Sequence, residues 1–131
     1  MTINLTQQYI YEVATWDRLL DYLEEENIQY KNRIAVIVEN GNESLFIETI
    51  ESFLNKFVME DIIIAIFRDD ITKAKIKILA KGKDVLTDRN ADNNYFTQNK
   101  LRKEIEIIEQ HFNGLKFEFN KYLSTHFNTL K

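Results

Sequence analysis

Three acidic residues are the first candidates for chemistry in this chain, namely Glu39, Asp69 and Asp70. Glu39 ends the apolar segment 33–39, and the two aspartates follow the apolar segment 61–67. Both segments are rich in β-branched residues and predict interior strands, whose ends would bring the three carboxylates together. Carboxylate oxygens suit Mg²⁺, a metal that serves phosphoryl chemistry. One hypothesis is therefore a Mg²⁺-dependent enzyme that acts on phosphodiesters.

This order of acids and strands resembles the metal-binding half of a topoisomerase-primase (Toprim) domain. That family has a Glu after its first strand and an Asp-x-Asp after a later one, so the resemblance implies catalytic and metal-binding roles for Glu39, Asp69 and Asp70. The alternative for Asp69-Asp70 is a turn between two strands, because Asp tolerates turn geometry and hydrogen-bonds its own backbone. We prefer the turn, and so expect no resident metal and no cofactor, while an enzymatic activity stays open as the less favoured alternative.

Four lysines, Lys73, Lys75, Lys77 and Lys81, lie in the segment 71–81, "ITKAKIKILAK". The alternation of lysine with apolar or small residues predicts a half-buried strand with one basic face. Such a row could contact nucleic-acid phosphates. A solvated strand edge that resists aggregation is the simpler interpretation. A helix stays open as an alternative, because Lys73, Lys77 and Lys81 also lie at i, i+4 and i+8.

The composition excludes several other classes of site. The chain has no cysteine, which rules out thiolate nucleophiles, disulfides and cysteine-based zinc sites. It also lacks a Gly-x-Ser-x-Gly elbow and a glycine-rich phosphate loop. The first ten residues lack the pattern of a signal peptide, and the longest apolar run, 62–67, is too short to cross a bilayer. We therefore expect a cytoplasmic protein that forms one domain over residues 1–131, with no membrane partner.

Charge is distributed unevenly along the chain, whose net charge is -4. Residues 1–70 carry 14 acidic and 5 basic side chains, whereas residues 71–131 carry 7 acidic and 12 basic ones. Such polarity can orient a protein partner or a second copy of the chain. The candidate contact residues are the acidic run Glu24, Glu25 and Glu26 and the four lysines of 71–81.

The spacing of apolar residues predicts an α+β fold. Period-two or doubly apolar patterns predict strands at 8–14, 33–39, 61–67, 71–81 and 115–119. Helical spacing predicts helices at 15–27, at 46–57, at 101–112 with a stop at Asn113-Gly114, and at the C-terminus from 123 to 130. Residues 82–94 are the best loop candidate. The predicted architecture is a mixed sheet of about five strands packed by two or three helices, in the order β-α-β-α-β-β-α-β-α.

The preferred function is a non-enzymatic protein-binding module, such as an inhibitor or immunity-type protein, a regulator or a component of an assembly. The supply of aromatic residues, 12% of the chain, favours an interface. The expected partner is another protein, with a homo-oligomer as an alternative and nucleic acid less favoured. The abundance of Asn, Ile and Lys suits an AT-rich bacterial or phage genome.

Overall fold

The structure is a computed structural model that describes the backbone of residues 5–41, 43–81 and 88–129 and the side chains of 5–41, 43–80 and 95–127. It forms three long α-helices: α1 (Leu5–Asn40), α2 (Ser44–Lys81) and α3 (Asp88–Thr129). At 1.5 Å per residue, helices of this length are about 54 to 63 Å long. Each helix packs against the other two.

The three helices bury a heptad-like stripe of side chains. Buried positions recur at alternating steps of four and three residues, as in Tyr9, Val13, Trp16, Leu20 and Leu23 of α1. The same alternation runs through α2 and α3. Their buried apolar members are Phe46, Ile50, Phe57, Ile64, Phe67, Ile71, Ala74 and Ile78 in α2, and Leu101, Ile105, Ile108, Phe112, Leu115, Phe119 and Leu123 in α3. This repeat is the packing pattern of coiled coils, so the protein is an antiparallel three-helix bundle.

The predicted α+β fold is wrong. The described residues form helix throughout, apart from the connection at Gly41 and Glu43, and none of them is in a strand. The segments 8–14 and 33–39 lie inside α1, 61–67 and 71–81 lie inside α2, and 115–119 lies inside α3. The helical predictions at 15–27, 46–57 and 101–112 are confirmed.

Among the predicted breaks between elements, the one between residues 39 and 46 coincides with the connection between α1 and α2, whereas the following ones are wrong. Asp69-Asp70 is not a turn but part of α2, and Asn113-Gly114 is not a stop but part of α3. Of the predicted loop 82–94, residues 88–94 belong to α3, whereas 82–87 lie outside the described residues. The predicted helix from 123 is the end of α3 as far as Thr129, and Leu130 lies outside the described residues.

Ion pairs at the edges of the stripe fix the relative positions of the helices. Arg102 of α3 donates two hydrogen bonds of 2.6 Å to the carboxylate of Glu12, 90 residues earlier in α1. Lys116 bonds Glu26 at the same separation of 90 residues, which shows that α1 and α3 run parallel and in one register. Arg68 of α2 reaches Asp17 and other acids of α1 in the antiparallel pair. Charged edge residues of this kind specify partner and orientation in helical bundles.

Asn27 is a polar residue inside the stripe and is fully buried. Its side-chain nitrogen donates to the Phe57 carbonyl at 2.9 Å and to Asp61 Oδ1 at 2.6 Å, both in α2. Lys31 then bonds the other carboxylate oxygen of Asp61. Since a buried amide needs these partners, it favours one register of α1 against α2 over its neighbours.

The connection between α1 and α2 is only three residues long. The amide of Gly41 donates to the Val38 carbonyl at 3.3 Å, which closes the end of α1. A Cβ at position 41 would meet Cδ1 of Ile47, the movable end of that side chain, so a larger residue here would require Ile47 to shift. Within the described part of the chain, no helix has an apolar stretch long enough to span a membrane.

Candidate functional site

The outer face of α2, which points away from the core, is unusually apolar. Seven of its large apolar side chains are exposed: Leu45, Val58, Met59, Ile62, Ile66, Ile76 and Leu79. At the middle of the helix, 47% of the surface of Ile62 and 58% of that of Ile66 are open to solvent. Because the inner face of α2 is apolar as well, the middle of this helix, residues 58–66, is apolar on two opposite sides.

A groove between α2 and α3 extends this apolar surface. Ile63 and Ile66 of α2 face Ile107 of α3 across it. The buried side chains of Phe67 and Ile108 form its floor. Ile107 is 63% exposed. Asp70 and Glu104 lie at one end of the groove. We define the outer α2 surface as Met59, Ile62, Ile63, Ile66 and Ile107, with the remaining exposed apolar residues of α2 on either side.

The structure does not bring Glu39 together with Asp69 and Asp70. Lys31 of α1 and Asp61 of α2 form an ion pair, so these two residues lie at the same level of the bundle. Glu39 lies eight residues beyond Lys31 toward the turn, and Asp69 lies eight residues beyond Asp61 in the opposite direction, so the two are separated by about 24 Å along the bundle. No group of three or more metal-ligating side chains is assembled anywhere in the described residues.

The lysines of 71–81 do not form one row. Lys73 and Lys77 line a shallow depression with Lys100 and the exposed ring of Phe96 from α3. Lys73 also pairs with Asp69 at 2.9 Å, and that hydrogen bond raises the pKa of Lys73. Lys75 does not line this depression, because a helix turns by about 100° per residue. The side chain of Lys81 lies outside the described residues.

Two of the three acids at 24–26 are engaged in contacts between helices. Glu24 accepts from Arg68 of α2 at 3.1 Å, and Glu26 accepts from Lys116 of α3. Arg68 also pairs with Asp17 and Asp21, so one guanidinium holds three carboxylates of α1. Glu25 is exposed. The acidic run therefore serves mainly to join the helices.

Sequence reasoning missed a buried carboxylate in the core. Glu60 occupies a position of the α2 stripe and has no exposed surface. Its Oε1 contacts Nδ1 of His111 in α3, while Oε2 has no hydrogen-bond partner. The seven-residue spacing Phe53, Glu60, Phe67 places Glu60 on the apolar stripe, and this was the signal available in the sequence. A buried carboxyl group needs a hydrogen-bond partner, so the contact ties α2 to α3.

Glu12 accepts two hydrogen bonds from Arg102 and so joins α1 to α3. Burial raises the pKa of the Glu12 carboxyl, but hydrogen bonds from Arg102 and Gln98 and the charge of Arg102 outweigh burial and hold that pKa below its ordinary value of 4.5. Gln98, which is almost fully buried, donates at 3.1 Å. A carboxyl whose pKa is lower in the folded state contributes stability above its unfolded-state pKa and loses it as the pH falls.

We therefore expect Glu12→Gln to lower the free energy of unfolding by about 1 kcal/mol at pH 7, because both side chains of the pair remain partly in water. The difference from wild type should shrink as the pH falls below about 4.5 and the wild-type carboxyl becomes protonated. Urea unfolding at pH 7, 4.5 and 3 measures it. Glu25→Gln, an exposed change on the same helix, is the matched control. An unchanged difference at pH 3 would contradict the assignment.

Comparison with known proteins gave no relative: no protein-family model, no curated protein and no solved structure matches this chain. The case for a function accordingly rests on the surfaces described above.

Proposed function

We propose that the chain is a helical protein-interaction module that binds an apolar helix of a protein partner along the outer α2 surface. One observation carries the proposal, namely that the middle of α2, residues 58–66, exposes a cluster of large apolar side chains on the face opposite the core. Exposed apolar residues that cluster, rather than occur singly, mark interaction surfaces in soluble proteins.

The shape of this surface favours a helix as its occupant. Ile63, Ile66 and Ile107 border a groove that runs along two adjacent helices. The groove follows residues 63–70 of α2, about 10 Å along the helix. This is the length over which a bound helix presents apolar anchors at i, i+3, i+4 and i+7. Asp70 and Glu104 at one end of the groove would form part of the polar rim.

Charged substitutions on the outer α2 surface test the proposal. The double variant Ile62→Glu/Ile66→Glu places two carboxylates in the middle of the surface, and both positions are exposed, so the bundle should fold normally. In affinity capture from a lysate of the cells that encode the protein, wild type should retain a stoichiometric protein that the double variant loses. The loss follows from the penalty for burying an unpaired charge in an apolar interface.

Val36→Glu is the matched control, because Val36 is exposed to the same degree, 57%, but lies on α1. It should retain the partner, and circular dichroism should show the same helix content in all three proteins. After purification, the partner should bind wild type and Val36→Glu but not the double variant. Equal capture by all three proteins would refute the proposal. If recovery of the captured protein depends on intact nucleic acid, the favoured binding site would instead be the basic depression formed by Lys73, Lys77 and Lys100.

A further inference from the structure

We propose that the helix bound by the outer α2 surface is α2 of a second copy of the chain, paired antiparallel about a twofold axis at the middle of the helix. This inference rests on the proposed function and names its partner. The arrangement of residues along α2 carries it.

The apolar residues of the outer face are centred on the helix. α2 runs from Ser44 to Lys81, so its midpoint falls between Ile62 and Ile63. Met59 and Ile66 lie at equal distances on either side of that midpoint, and both are more than half exposed. A twofold axis through the midpoint would therefore place Met59 of each copy beside Ile66 of the other. Twofold interfaces require such a surface, because the same patch is presented by both copies.

The charges on the flanks of α2 are complementary under the same symmetry. The first third of the helix exposes Glu48 and Glu51, and the last third exposes Lys73 and Lys77. Glu48 and Lys77 are equidistant from the midpoint, so antiparallel pairing brings the acids of each copy to the lysines of the other. Parallel pairing would set acid beside acid and lysine beside lysine, which is unfavourable. Asp69 pairs with Lys73 four residues later in the same helix. It lowers the net positive charge at this end of α2 but does not make that charge negative.

Light scattering tests the dimer directly. Wild type and Val36→Glu should both show twice the chain mass of 15.6 kDa. Ile62→Glu/Ile66→Glu should raise the dimer dissociation constant by about 100-fold or more, because the carboxylates introduced at position 62 would meet at the axis and those at position 66 would lie against the apolar Met59 of the other copy. A single-chain mass for wild type at about 100 µM would overturn the inference. A dimer that the double variant leaves intact would overturn it as well.

The orientation can be measured because the chain has no cysteine, so each engineered thiol is unique. In an antiparallel dimer, spin labels at Glu48→Cys should be about 40 Å apart, whereas parallel pairing would put them about 10 Å apart. A bifunctional thiol cross-linker should join Glu48→Cys to Lys77→Cys in a mixture of the two variants, and neither variant to itself. Self-linking at position 48, or the short distance, would overturn the antiparallel arrangement.

These results separate the inference from the proposed function. A monomeric wild type whose capture of a different protein is lost in Ile62→Glu/Ile66→Glu overturns the second copy as occupant and leaves the outer α2 surface as a binding site. A dimer with the expected mass and distances, whose assembly the double variant disrupts, supports the inference even when no other protein is captured.

Discussion

Replacing Phe119 with alanine is expected to lower the free energy of unfolding by about 3–5 kcal/mol, the cost of removing a buried aromatic ring from a packed core. Phe119 has no exposed surface, and its ring lies 5.3 Å from that of Phe53 and 5.6 Å from that of Phe57, measured between centroids. These rings join α3 to α2, so the cavity would open inside the bundle. Urea unfolding followed by circular dichroism measures the loss.

Phe117 supplies the control, since it is the same residue type two positions earlier and is 67% exposed. Phe117→Ala should change stability by less than about 0.5 kcal/mol. The pair also tests the fold itself. In a strand, residues 117 and 119 would share one face, whereas in a helix they point to nearly opposite sides. Similar losses for both variants would contradict the helical bundle.

The second large effect concerns the buried carboxylate. His111→Ala is expected to lower the free energy of unfolding by about 2–4 kcal/mol, because it leaves the carboxylate of Glu60 buried without its partner. Glu60→Leu should instead raise stability by about 1–3 kcal/mol, because leucine suits this position of the stripe and removes the desolvation cost. Chemical denaturation at pH 7 measures both changes.

A double-mutant cycle separates the pair from its surroundings. Once Glu60 is leucine, His111→Ala should change stability by less than about 0.5 kcal/mol, because 66% of the His111 side chain is exposed and little else depends on it. The same loss in both backgrounds would mean that His111 acts through packing and not through the carboxylate.

The sequence predicts the helices only where each has one apolar stripe and a polar remainder. Residues 15–27 show Trp16, Leu20 and Leu23 against an acidic background, and the helix predicted there is correct. The segment 61–67 is apolar at nearly every position, so its period is hidden. This apolar pattern fits a buried strand as well as it fits a helix with two apolar faces. The apolar residues on both faces of this segment therefore mark the candidate binding surface, and they are also the reason why the fold was predicted wrongly.

Predictions of breaks between elements that rested on one or two residues were also wrong. Gly114 predicts a helix stop, but in the structure it sits within α3, where a Cβ would meet no atom within 4 Å. Asp69-Asp70 predicts a turn, but local preference for a turn is weak beside the burial of Phe67, Ile71 and Ala74 in one stripe. The contacts Glu60–His111 and Glu12–Arg102 join residues 51 and 90 positions apart, and only the register of the helices decides such pairs.

The three-residue connection between α1 and α2 has a consequence for the order in which the chain assembles. Closing so short a loop costs little chain entropy, so α1 and α2 can pair as a hairpin before α3 arrives. In that hairpin Glu60 faces water, because the helix that covers it is α3. The dehydration of the Glu60 carboxyl group therefore accompanies the docking of α3, and the core side of the hairpin stays exposed until that step is complete.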